Sequence, residues 1–81
     1  MRLSCRKDDP GEAEYDRLNR EGKCINIYLN GKDCTKFCRT ADTDEGFIIV
    51  TKTDKNEKIL QHDDGSIIEE TLHGNVEIII D

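Results

Sequence analysis

Apolar positions along this chain change their spacing once. From residue 24 onward they recur with a period of two, which predicts strands with one face toward a core and the other toward solvent. "CINIYLNG" places Ile25, Ile27 and Leu29 on one side and Cys24, Asn26 and Tyr28 on the other, and Asn30-Gly31 then has the chemistry of a tight reversal. "GFIIVTKT", residues 46 to 53, follows the polar "TADTDE" and is apolar on both faces from Phe47 to Val50, the pattern of a central strand. "TDKNEK" turns the chain into "KILQ", "HDDGS" turns it into "SIIEETL", and "HGN" leads into "VEIII". Turns every ~8 to 12 residues predict an antiparallel meander of about five short strands.

Residues 1 to 23 read differently, as an N-terminal arm or short helix ahead of a β domain at 24 to 81. In "DDPGEAEYDRLNREGK", Asp9 stands where an N-cap belongs, Pro10 at the first helical position and Glu12 three residues past the cap, a capping-box arrangement. Gly22 is a stop signal. The apolar stripe is only Ala13 and Leu18 with Tyr15 beside them, so such a helix docks weakly.

Counting faces limits the architecture. Val76, Ile78 and Ile80 share a side but leave Ile79 opposite, and Ile48, Val50 and Ile67 also fall on second faces. A single open sheet would expose them. The expected fold is therefore all-β, a small antiparallel meander curled into a barrel or sandwich, with self-association of the surplus apolar face as the competing account.

Composition agrees with a thin β-rich core. The 81 residues suffice for one domain, and ten Ile dominate the apolar content while Trp is absent and Phe and Tyr number two each. Charged residues make up 37% and mean hydropathy is -0.73, which leaves little apolar surface to offset the entropy of ordering the chain. The net charge of -6 is uneven: residues 1 to 41 hold nine Lys or Arg against seven Asp or Glu, and residues 42 to 81 hold three against eleven. An acidic face repels phosphates, so direct nucleic-acid binding is not expected unless Arg2, Arg6 and Lys7 form an arm. No segment reaches the roughly 18 apolar residues of a membrane span, and "MRLSCRKDDPGEAE" lacks the apolar stretch of a secretion signal. A cytoplasmic location is the expectation, and reduced thiols with it.

Candidate chemistry is sparse. Cys24, Cys34 and Cys38 with His73 could hold a structural zinc, yet the closest pair is C-x₃-C without a second pair, so packed thiols are the simpler reading. "DTDEG" at 42 to 46 hints at calcium, but a calcium loop starting at Asp42 needs Gly at 47 and Glu at 53, where the chain has Phe47 and Thr53. His62, Asp63, Asp64 and Ser66 lie together in "QHDDGS", a turn composition, and His73 sits in another turn. No catalytic residue and no cofactor are expected from this pattern.

The succession "YLNGKDCT", "CRTADTDEGFIIV", "DKNEKIL" and "ETLHGNVEI" resembles a group of small uncharacterised proteins encoded by tailed bacteriophages and prophages, and "RLSCRKDDPG" resembles their short polar leader. The resemblance implies a phage or prophage origin and brings no activity with it. The expected function is a non-catalytic protein-binding module, either a virion or assembly component or a host-directed effector, located in the bacterial host cytoplasm or the virion. Its partner would be a phage or host protein, or further copies of itself. The alternative is a zinc-stapled domain using Cys24, Cys34 and Cys38. The candidate partner-binding residues are the carboxylates Asp42, Asp44, Glu45, Asp63, Asp64, Glu69 and Glu70. Mimicry of nucleic acid by these groups would need carboxylates in rows, whereas Glu69 and Glu70 alternate across a strand.

Overall fold

The computed structural model describes all 81 residues. Two antiparallel sheets face each other as a sandwich. The larger contains β1 (Arg2–Ser4), β4 (Cys38–Asp42), β5 (Phe47–Thr51) and β6 (Glu69–His73) in the order β1-β4-β5-β6. The smaller contains β3 (Lys32–Asp33), β2 (Ile25–Leu29) and β7 (Val76–Ile80) in the order β3-β2-β7. One helix, α1 (Glu12–Arg20), packs against β1. The barrel does not close, so of the two expected forms the sandwich is the one found.

Alternation dictates the layers. In β2 the buried Ile27 shares its face with half-buried Ile25 and Leu29, and these pair across to Ile78, Ile80 and Val76 of β7. Across the gap stand Ala41 of β4 and Ile48 of β5, which are paired to each other. Ile27, Ala41, Ile48 and Val76 make the central cluster, and Cys34, Cys38, Val50 and Leu72 pack around it. Only 10 of 81 residues are buried, which is the thin core that the composition implied. The surplus apolar positions are resolved in part by this arrangement: Ile48 and Val50 face the core, while Ile67 and Ile79 remain exposed.

The path departs from a simple meander. β4, β5 and β6 are consecutive neighbours, but the chain then crosses to the other sheet, where β7 pairs with β2 rather than β6. "KILQ" is not a full strand. Residues 53 to 67 hold only two isolated bridges, Thr53 to Ile59 and Gln61 to Ile67, as a protruding double turn in which Ile59, Leu60 and Ile67 are exposed. β1 was not legible as a strand, because three residues are too few to show a period. It adds to β4 through Leu3 opposite Ala41, and Gly11 closes its outer edge by accepting from the Ser4 amide at 3.2 Å.

In β4 the register shifts between Cys38 and Thr40, a bulge that leaves Arg39 as the extra residue. Cys38 and Ala41 can then both pack toward the core, while Thr40 and Asp42 lie on the outer face. There Ser4 and Thr40, both buried, share a hydrogen bond of 2.7 Å between their hydroxyls.

The helix corrects two details. Its N-cap is Gly11, with no side-chain cap, and Pro10 lies outside it. Asp9 is diverted because its carboxylate accepts from the Arg2 guanidinium at 2.9 and 2.8 Å and from the Gly11 amide at 2.8 Å, charge-assisted bonds stronger than a cap. Ala13 is exposed, and Leu18 is the buried helical residue. The stop at Gly22 is as expected: φ is 73°, the Lys23 amide donates to Leu18 and the Gly22 amide to Asn19, which closes the last turn.

Three turns converge at one end of the sandwich. Asn30 and Gly31 form the expected reversal, both with positive φ. The Asn30 side-chain carbonyl accepts from the Asn75 amide at 2.9 Å, and the Gly74 amide donates to Gly46 at 3.0 Å. Gly46 has φ 71°, and a Cβ there would stand 3.1 Å from the Gly74 carbonyl oxygen. Gly46→Ala should therefore cost about 1 to 2 kcal/mol for the left-handed backbone alone, read as a lowered urea midpoint.

Candidate functional site

Position in the fold sorts the seven carboxylates. Asp42 is 5% exposed and committed to structure: it accepts from Arg2 at 3.3 Å and from the Asp44 and Glu45 amides at 2.9 Å each. The Glu45 amide and the Arg2 guanidinium hold its carboxyl below the usual range. Glu69 is half-buried between Arg39 at 3.3 Å and Arg6 at 3.5 Å. Neither is free to meet a partner, so both leave the candidate set. Asp44, Glu45, Asp63, Asp64 and Glu70 are exposed, but they occupy separate turns and a strand rather than one site. Asp44 pairs with the N-terminal ammonium at 2.9 Å. Asp64 accepts from the amide and hydroxyl of Ser66, so "QHDDGS" is a turn closed on itself.

The same ion pairs tie down the N-terminal cations. Arg2 bridges Asp9 and Asp42 and lies 5.3 Å from the centre of the Phe47 ring, whose other neighbour is His73 at 6.3 Å. Arg6 faces Glu69. A basic arm free to reach for phosphate is not formed by these two residues.

The structure does not bring Cys24, Cys34, Cys38 and His73 together. No group of three or more His, Cys, Asp or Glu side chains is placed to hold a metal ion. Cys24 is exposed at the start of β2, Cys34 and Cys38 turn toward the core, and His73 is on the outer face beside Phe47. Burial pushes the Cys38 thiol up to about 12, with Cys34 and Cys5 adding to the effect. Cys5 and Cys38 line a cavity of about 150 Å³ between α1, β1, β2 and β4, together with Leu3, Tyr15 and Ile27. Cys34 and Cys38 pack as small apolar groups.

The feature that sequence reasoning only touched is the edge of β7. Cys24 and Asp81 exchange both backbone hydrogen bonds, at 3.1 and 2.9 Å, and the Asn30 amide donates to Asn75 at 2.8 Å. By the alternation of an antiparallel ladder, the backbone groups of Glu77 and Ile79 point to β2, whereas those of Val76, Ile78 and Ile80 point away from it to an open edge. The other edges are guarded. β1 is closed by Gly11, β3 is two residues long, and β6 carries Glu69, Glu70 and His73. The β7 sequence VEIII has no Pro, Lys or bulge and a single charged residue, Glu77, and Ile79 is 43% exposed. The available signal was Ile79 itself, the apolar residue on the wrong side of its strand.

Burial predicts an order of thiol reactivity. Cys5 and Cys24 should label first with a maleimide and Cys38 last, becoming fast only in denaturant, and prior treatment with a chelator should leave the order unchanged. Mass spectrometry of the labelled peptides reads this.

Compared with protein-family models, with curated proteins and with solved structures, the chain finds no match.

Proposed function

We propose that this protein is a non-catalytic binding module that takes an extended polypeptide segment along the open edge of β7. One observation carries the reading: a five-residue edge strand, β-branched at all positions but Glu77, presents the outward backbone groups of Val76, Ile78 and Ile80 without a proline or bulge. An added strand satisfies those groups and covers apolar side chains.

The resemblance of the sequence to small phage and prophage proteins supports a virion or assembly component, or a host-directed effector, acting in the host cytoplasm or the virion.

A photo-crosslinking amino acid placed at position 79 tests the reading, with a second placed at position 16 on exposed helix surface as control. The expected result is crosslinked polypeptide from position 79 alone, abolished by Ile78→Pro, which removes an outward N–H at an edge where proline is otherwise tolerated. Equal crosslinking from both positions, or none from 79, would reject the edge as the site.

The ion pair of Arg2 with Asp9 supplies a control on integrity during such work. The Arg2 hydrogen bond holds the Asp9 carboxyl at about 2. A carboxylate with a depressed folded value stabilises fully above its unfolded value near 4, and that stabilisation is lost as pH falls through the folded one. Asp9→Asn should lower the melting temperature at pH 7 and flatten the decline of stability between about pH 4 and 2, followed by circular dichroism.

A further inference from the structure

The edge of β7 is self-complementary, and we infer that its occupant is a second copy of this chain, paired antiparallel about Ile78. This rests on the edge-docking reading and names the partner.

Hydrogen-bond parity comes first. Pairing centred on Ile78 sets Ile78 against Ile78 of the second copy and Val76 against its Ile80. All of these are residues whose backbone groups point outward, so each facing pair exchanges both of its hydrogen bonds. A shift of one residue would set outward groups against groups already bonded to β2.

Charge then selects among the registers that parity allows. Centred on Glu77, the pairing would put that carboxylate against itself. Centred on Ile79, it would put Glu77 against Asp81 twice. Centred on Ile78, it puts Glu77 against Ile79 and Asp81 against Asn75, so that carboxylates meet only across the wider diagonal spacing. Registers centred on Val76 or Ile80 also keep carboxylates from direct opposition but leave part of β7 unpaired, so parity, charge and overlap together favour Ile78.

Packing agrees on both faces. On the outer face the second copy's Ile79 arrives next to Glu77, on the side of β7 away from β2. This covers a side chain that is 43% exposed in the single chain. On the inner face, half-buried Ile78 and Ile80 meet Ile78 and Val76 of the second copy. The contact is isologous and closes on a twofold axis, so the smaller sheet runs on continuously from one copy into the other without opening a filament.

Sedimentation velocity of the full chain, reduced and over a wide concentration range, tests the inference with two substitutions at one exposed position. Ile79→Glu opposes two carboxylates at both symmetric places and should weaken the dimer by about tenfold. Ile79→Lys sets an ammonium against Glu77 in that register and should leave the dimer at least as tight as in the unaltered chain. Circular dichroism melts confirm that both variants fold. Loss of the dimer in both variants would mean unspecific apolar contact, a dimer indifferent to Ile79→Glu would place the interface elsewhere, and an unaltered chain monomeric throughout would remove the second copy as occupant. Each of these overturns the inference. In the last case, crosslinks from position 79 to a different polypeptide would preserve the edge-docking reading, and their absence would end it as well.

Discussion

Four side chains, Ile27, Ala41, Ile48 and Val76, hold the two sheets together, two from each sheet. With so little buried apolar surface, the stability of the sandwich depends on ladder hydrogen bonds and on how the margins of the core are closed. The larger sheet closes its β1 margin with polar chemistry. The Ser4 to Thr40 hydroxyl pair and the Arg2 bridge to Asp9 and Asp42 fix an N-terminal strand that buries Leu3 but has no run of apolar residues of its own. At the other end the Asn30, Gly46 and Gly74 turns are stitched by backbone and amide bonds. What the core lacks in area, these two polar margins supply in fixed geometry.

This division explains what the sequence made legible. Alternation over Ile25 to Leu29 and Val76 to Ile80, the doubled apolar run at Phe47, the Asn30-Gly31 reversal and the Gly22 stop are local signals, each set by residues within a few positions of one another. The pairing of β7 with β2, the addition of β1 to β4 and the fate of Asp9 depend on partners far along the chain. Arg2 and Asp42 are an example: nothing near either residue announces the other. The bulge at Arg39 was hidden for a related reason, since its effect is to move Cys38 onto the core face and so break the alternation on which a strand is recognised.

The candidate site shows the same limit from the functional side. Treating carboxylates as a set was natural from composition, because eleven of them fall in residues 42 to 81. The fold splits that set by environment. Asp42 and Glu69 neutralise arginines at half-buried positions, Asp64 closes a turn, and the exposed remainder is dispersed. Charge counted along a chain says little about a surface until it is known which charges are already paired. Face counting did better, because a residue on the wrong side of a strand must be covered, exposed or used. Ile79 is exposed, and it lies on the one long edge without a guard.

An edge with Glu77 as its one charge, in a thin-cored protein, raises the question of what would limit open-ended association. The charges along VEIII and its terminus answer in physical terms. Glu77 and Asp81 lie four residues apart on the same face of the strand, so most ways of laying two such strands side by side bring carboxylates together or leave outward amides facing occupied ones. The proposed register centred on Ile78 avoids the second penalty and reduces the first to a diagonal contact of the two Glu77 side chains, and it would use up each edge. In the proposed dimer the same acidic residues thus restrict how the edge can pair. In a strand this short, a lone Glu among Ile residues does more to define an interface than further hydrophobic area would.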